Sequence, residues 1–417
     1  MHPEFTSACV VGLGYIGLPT AALVASRGLR VTGVDLDPNI VETISNGGIH
    51  IAEADLDGLV QKVVSSGRLV ARTEPQPADV FLIAVPTPLS GNKKPVLEHV
   101  FAAAHSIAPH LAKGALVIIE STCPVGTTED VRDLLSTLRS DLRFPGKGNG
   151  AAPDVNVAYC PERVLPGRIL IELLQNDRCI GGLTPSCAEK ARRFYELFIR
   201  GTCVETNART AELVKLTENA YRDTNIAFAN ELSLVCDHLD IDVWELIEIA
   251  NRHPRVAILA PGPGVGGHCI AVDPWFIVDS APGQTHMISM AREVNDGKAD
   301  YVIQRARALI DAHPDKAIAC LGLAFKANVD DLRESPALKI AHRLGETYGE
   351  RVGVVEPFVS ELPDELLRFG VQHIGLADAL MEDRTLIVLV DHDHFRRVDP
   401  AQWTKAAVYD TRGVWRL

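Results

Sequence analysis

Short apolar runs recur through the first third of the chain, at residues 8–11, 31–34, 80–85, 115–119 and 155–159, each rich in Val, Ile or Ala. Amphipathic stretches such as 16–27 and 40–46 separate them. Runs of strand length set between helical patterns predict a mostly parallel sheet covered by helices on both faces. From about Thr206 the pattern changes. Residues 210–238 keep a helical period with neither Pro nor Gly, and 243–251 and 287–310 also read as helices. A helix that long serves either as a spine between two domains or as an interface between subunits. Leu213, Leu216, Ala220 and Phe228 suggest that it is largely buried. Strand-like runs return at 316–324, 351–355, 385–390 and 406–409, a second and smaller α/β unit. The outline is α/β, with two doubly wound domains, 1–205 and 313–417, joined by a helical region, 206–312. The Gly/Pro-rich stretch 145–154 reads as a surface loop inside the first domain.

Charge narrows the classes. With 41 Lys+Arg against 54 Asp+Glu, the formal charge is −13. No basic stripe is available for a phosphate backbone, so nucleic acid is excluded as a partner, whereas a small nucleotide is not. The longest apolar runs, 80–85 and 386–390, are far short of a membrane span. The nine cysteines are scattered without a C-x-x-C pair, so neither a zinc cage nor a dithiol redox motif is expected, and no metal. The first residues lack a basic segment followed by an apolar one, which points to a reducing cytoplasm.

Gly12-Leu13-Gly14-Tyr15-Ile16-Gly17 follows the first strand and opens the first helix. Glycines there allow a tight turn and let backbone approach a pyrophosphate at the helix N-terminus. The second strand ends at Asp35, where a carboxylate can bind a ribose 2′-hydroxyl. Leu36 and Asp37 offer no cation for a 2′-phosphate, so the cofactor reads as NAD rather than NADP. The strand exits 84–88 (AVPTP) and 120–122 (EST) should line the same crevice, because ligands sit at the carboxyl ends of parallel strands.

On the long helix, Lys215, Asn219 and Arg222 share one face by spacing. A lysine beside an asparagine there can stabilise an oxyanion. Residues 261–274, PGPGVGGHCIAVDP, form a glycine-dense loop that presents His268 and Cys269, with Asp273 four residues on. Most of the cysteines should be small buried hydrophobes, but a thiol on such a loop is open to reaction. A nucleophilic thiol in an NAD-binding chain points to aldehyde oxidation through a thioester. Phe325, Lys326 and Arg333 stand in a charged stretch before Ser335-Pro336. It reads equally as a capped helix start or as a cationic pair for phosphates.

These segments together make the chain resemble the UDP-glucose/GDP-mannose dehydrogenase family over essentially its whole length. The stretches that carry the likeness are VGLGYIGLPTA, AVPTP, ESTCPVGTTE, AYCPERVLPG, AELVKLTENAYRDTNIAFANELS, ANRHPRV, PGPGVGGHCIAVDPWFIV and GLAFKANVDDLRESPA. The resemblance implies two Rossmann-like domains, the second for UDP, and a helical dimerisation centre, hence a homodimer. It also implies oxidation of a C6 alcohol to a carboxylate with two NAD. By the same resemblance Cys269 is the nucleophile, Lys215 and Asn219 steady the C6 oxygen, Asp273 and Thr122 orient water, and Glu162 moves a proton. Gly12, Gly14, Tyr15, Ile16, Gly17, Asp35, Thr87, Thr122 and Arg333 correspond to cofactor positions. Glu162, Arg163, Val164, Lys215, Asn219, Arg222, His253, Arg255, Gly266, Phe325, Lys326 and Arg412 correspond to substrate positions.

Three positions depart from the family pattern, the first two from that of its glucose-oxidising branch. Val272 replaces a Lys, Pro166 replaces a second Glu, and Val96 replaces an Asp. The first two fit a UDP-N-acetylhexosamine as substrate. A two-electron β-hydroxyacid dehydrogenase would need neither the thiol nor a third domain, and a nucleotide-sensing module would need no thiol.

Overall fold

The computed structural model describes residues 4–51, 53–146, 152–164, 167–380, 384–399, 401 and 406–415. Residues 147–151 of the expected surface loop, and Pro166, lie outside them. The chain divides into two compact units, Met1–Glu218 with Trp275–Pro282, and Asn219–Pro274 with Gly283–Leu417. The division falls within the helix Ala208–Leu239, and the helical middle is not a contact unit of its own. The reason is packing. Ala208 and Ala211 belong to the core of the first sheet, whereas Asp223 and Asn230 are hydrogen-bonded to the helix His286–Asp311.

The first unit holds an eight-stranded sheet, β1 Ser7–Val11, β2 Arg30–Val34, β3 Leu69–Arg72, β4 Val80–Ile83, β5 Leu116–Ile119, β6 Asn156–Tyr159, β7 Arg178–Gly182 and β8 Cys203–Asn207. Their order is β3-β2-β1-β4-β5-β6-β7-β8. Only the β6–β7 pair is antiparallel. β4, β5 and β6 are buried throughout, because helices cover both faces, which is why β4 and β5 read as unbroken apolar runs. Side chains of alternate parity feed two cores, one around Leu18, Leu82 and Phe194, the other around Phe81, Val117 and Tyr159.

The second unit holds a parallel five-stranded sheet, β9 Ala317–Leu321, β10 Val352–Val355, β11 Gln372–His373, β12 Arg384–Val388 and β13 Ala407–Asp410, in the order β11-β10-β9-β12-β13. Its helices His286–Asp311 and Pro336–Tyr348 bury Val302, Ile340 and Leu344 on one face, and Phe395 and Trp415 close the other. The long helix is less buried than its periodicity suggests. Leu216 and Ala220 are covered, but Leu213 is 41% and Phe228 53% exposed. Among the described residues no helix is long and apolar enough to cross a membrane.

Candidate active site

In the first unit the glycine turn leaves β1 as its spacing predicts. Gly12 has φ +93°, and a Cβ there would lie 2.4 Å from the Ala84 carbonyl oxygen, so no other residue fits without backbone movement. Gly14 faces open space, the room that a pyrophosphate needs over the helix Gly17–Ser26. Tyr15 is exposed, and Ile16 caps the helix start. The Asp35 carboxylate accepts the Leu13 and Asp37 amides, each at 3.0 Å, which fixes it at the rim of the turn. These residues fit NAD.

The exits of β4 and β5 are tied together. The Ser121 hydroxyl donates to the Val85 carbonyl at 2.8 Å and accepts the Val85 amide at 2.9 Å. Thr87 and Thr122 stand half-buried on these exits. After β6 comes Glu162, buried, with Oε1 accepting the Arg163 amide at 2.7 Å and Oε2 2.6 Å from the Arg178 guanidinium. Arg163 pairs with Glu218 at 2.7 Å, and Val164 packs on the core. Lys215 is half-buried on the same unit's part of the long helix.

Behind Glu162 lies a polar cluster that no sequence motif announced. Tyr195 donates its hydroxyl to Glu120 Oε1 at 2.6 Å, and the Arg178 guanidinium sits over the Tyr195 ring at 5.2 Å. Burial pushes the Glu120 carboxyl up to about 7; Arg178 pulls it down and Glu162 adds to the rise. The same burial raises the thiol of Cys160 to about 12, which makes it an inert core residue.

In the second unit the Asn219 side-chain amide donates to Asp273 Oδ2 at 2.5 Å, and both residues are buried. Asp273 opens the helix Asp273–Ser280, a favourable place for a carboxylate. Its amide donates to the Cys269 carbonyl at 2.8 Å, closing the turn that carries the thiol. Cys269 is half-exposed. Seven other cysteines are buried as expected, but Cys203 is half-exposed too, because β8 is an edge strand.

The glycine loop lies against the charged stretch 323–335. A Cβ on Gly267 would come within 2.9 Å of the Phe325 ring, and the Gly267 amide donates to the Arg333 carbonyl at 3.2 Å. Gly266 touches the Glu334 carbonyl and Pro336 in the same way. Lys326 is half-buried beside Phe325. Arg333 pairs with Asp331 at 2.6 Å. Arg412 pairs with Asp391 at 2.9 Å and donates to the Pro261 carbonyl at 3.2 Å, so it braces the start of the glycine loop. The capped-start reading of 323–335 holds, since Ser335 caps the helix Pro336–Tyr348, and the residues before it meet the glycine loop.

Asn230 braces the loop as well, and sequence reasoning missed it. Its Oδ1 accepts the Gly262 amide at 2.9 Å, and its Nδ2 donates to Asn295, which in turn donates to Asp223. Arg222, His253 and Arg255 are exposed, the last two on the turn after the helix Val243–Ala250. The site residues thus fall into two groups: Thr122, Glu162 and Lys215 in the first unit, and Asn219, Cys269, Asp273, Phe325 and Lys326 in the second. Among the described residues no His, Cys, Asp and Glu cluster suits a metal ion.

Comparison with known proteins divides the chain into three segments. Residues 6–199 match the NAD binding domain of the UDP-glucose/GDP-mannose dehydrogenase family, 209–297 its central domain, and 319–417 its UDP binding domain. The chain is 56% identical over 412 residues to the NDP-N-acetyl-D-galactosaminuronic acid dehydrogenase of Ralstonia nicotianae, covering 99% of this chain and 97% of that one. It is 54% identical over 421 residues to the UDP-N-acetyl-D-mannosamine dehydrogenase of Yersinia pestis, covering 99% and 100%. The solved UDP-D-ManNAc dehydrogenase of Pyrococcus horikoshii superposes with a TM-score of 0.87 at 36% identity, over 98% of this chain and 96% of that one.

Proposed function

Because the chain belongs to the UDP-glucose/GDP-mannose dehydrogenase family and carries its NAD-binding and UDP-binding domains, we propose that it oxidises UDP-N-acetyl-D-mannosamine at C6, by four electrons, to UDP-N-acetyl-D-mannosaminuronate. The observation that carries the mechanism is the buried Asn219–Asp273 hydrogen bond of 2.5 Å at the foot of the loop bearing Cys269. NAD held at the Gly12–Gly17 turn would supply the hydride acceptor for each of the two oxidations.

Lys215 and Asn219 donate to the C6 oxygen as charge develops on it, which lowers the barrier more than it tightens substrate binding. Once the alcohol has become an aldehyde, the Cys269 sulfur bonds to C6, and the carbonyl oxygen takes up a proton, giving a thiohemiacetal. Loss of a second hydride from C6, and of the proton from its oxygen, leaves a thioester. Water oriented by Asp273 and Thr122 then adds to C6, the C–S bond breaks, and the sulfur recovers its proton. Glu162, steadied by Arg178, receives a proton in this exchange; each of its oxygens keeps a lone pair beyond those it already uses.

The sugar rests on the relatives and on the loop. Several relatives at 53–54% identity over their full length act on UDP-N-acetyl-D-mannosamine by name. Val272 removes a charge near the thiol, and a site not built to hydrogen-bond a bare hydroxyl suits an acetamido group. The Ralstonia relative favours a second reading, an N-acetylhexosamine of galacto configuration. The gluco epimer is the remaining alternative. Tyr221, Phe228 and Val235, exposed at seven-residue intervals along the long helix, support a homodimer that covers this stripe. A reduced thiol nucleophile suits the cytoplasm, and the uronate product suits assembly of a bacterial surface polysaccharide.

The test is NADH release with the purified UDP-N-acetylhexosamine epimers. The manno substrate should exceed each of the others by about tenfold in kcat/KM, a difference of about 1.4 kcal/mol. A preference for the galacto or gluco epimer would move the substrate assignment and leave the mechanism intact.

A further inference from the structure

The two sheets repeat one plan. The first runs β3-β2-β1-β4-β5 before its extra strands, and the second runs β11-β10-β9-β12-β13. Each first strand ends at a glycine of near-identical φ, +93° at Gly12 and +94° at Gly322. Each of those amides donates at 2.8 Å to the last carbonyl of the neighbouring strand, Val34 or Val355. Each neighbouring strand is then followed by an acid, Asp35 or Glu356, that accepts the amide after the glycine. Beyond this point the repeats diverge. In the first unit the helix begins at Gly17 and Asp35 stays half-exposed at the rim. In the second the helix begins only at Pro336, and Glu356 is 1% exposed.

Every oxygen of Glu356 is occupied from within. Oε2 accepts the Leu323 amide at 2.7 Å and the Ala324 amide at 3.0 Å, and Oε1 accepts the Phe358 amide at 3.1 Å. His392, fully buried between Phe358 and Phe395, adds a fourth contact at 3.2 Å to Oε2. Its Nδ1 accepts the Asn328 amide at 2.9 Å, so the ring proton lies on Nε2 and is donated to Glu356. Asn328 is also held through its side chain, whose oxygen accepts the Asp393 amide at 3.1 Å. The stretch that opens on Phe325 and Lys326 is therefore pinned at 323–324 by the acid and at 328 by the histidine.

We propose that Glu356 and His392 are positioning residues for substrate: the acid that the repeat places at the ribose-binding strand end is turned inward, and it holds in register the loop that presents Phe325 and Lys326 to the UDP moiety. This rests on the reading of Phe325 and Lys326 as substrate-binding residues. Buried and bonded inward, Glu356 is not open to an adenosine ribose as Asp35 is.

The test is His392→Phe, which keeps the ring volume between Phe358 and Phe395 and removes both nitrogens, alongside Glu356→Gln. Both should raise the KM for the UDP-sugar by about tenfold, the worth of one or two lost hydrogen bonds, and leave kcat and the KM for NAD within about twofold. Amide exchange should quicken at 323–328 and nowhere in the first unit. In the unmutated protein the Leu323, Ala324 and Asn328 amides should exchange at least about a hundredfold more slowly than the exposed Asp330 amide, a result that needs no variant to fold. Unchanged KM with unchanged exchange, or fast exchange of those three amides in the unmutated chain, would overturn the proposal. A proportional loss of kcat with exchange quickened throughout would make the pair merely structural and overturn it too. Quickened exchange with an unchanged KM would instead remove Phe325 and Lys326 from substrate binding.

Discussion

Replacing Glu120 by Gln should make the protein more stable at pH 8 and change it far less at pH 5. Glu120 stands directly after β5, buried at 3% exposure, with Tyr195 donating to Oε1 at 2.6 Å. Burial, offset in part by Arg178 and reinforced by Glu162, raises its carboxyl from 4.5 to about 7. An unfolded chain holds an ordinary glutamate near the lower value. Between the two values the folded state keeps a proton that the unfolded state has released, so stability falls as pH rises through that window. The contribution is fully present below about 4.5 and is gone above about 7. At about 1.36 kcal/mol per pH unit the gap is worth about 3 kcal/mol, an upper value if the cluster relaxes around the charge. Gln keeps an oxygen for Tyr195 and carries no charge, so it should recover about 1–3 kcal/mol at pH 8. For a unit of this size that is a rise in melting temperature of about 2–4 °C per kcal/mol. Thermal unfolding of both proteins, followed across pH 5 to 8, measures it. A variant destabilised at pH 8, or offset equally at every pH, would refute the reasoning.

Two further outcomes follow from the site. Asp35→Ala removes the acceptor at the rim of the glycine turn, so the KM for NAD should rise by about tenfold or more and discrimination against NADP should relax; an unchanged KM for NAD would remove Asp35 from the cofactor site. Cys269→Ala should lower uronate formation by about three orders of magnitude or more while UDP-sugar binding, read by calorimetry, survives; near-normal uronate from this variant would take the thiol out of the mechanism.

The buried centre of each sheet was legible because strands covered on both faces must be apolar throughout, as at 80–83 and 116–119. Strands without an unbroken apolar run were not, whether open on one face or buried. β3 alternates buried and exposed residues over only Leu69–Arg72, β7 opens on Arg178 and ends in two glycines, and β8 is a largely exposed edge. The glycine turn and the glycine loop could be read from composition, since the close approaches at Gly12 and Gly267 leave no room for a side chain. Helical periodicity announced the long helix but not what covers it, so Leu213 and Phe228 were expected inside and lie outside. The supports of the site were hidden for a different reason. Arg178 with Glu162, Asn230 with Gly262, and Glu356 with His392 are pairings between distant residues, and nothing in the local pattern around either partner announces the other.

The most direct test of the four-electron oxidation through Cys269 is the number of NADH molecules formed for each UDP-N-acetylhexosamine consumed, followed to completion with purified enzyme. The mechanism requires two, with the uronate as product. One NADH per sugar, with an aldehyde left in solution, would contradict it.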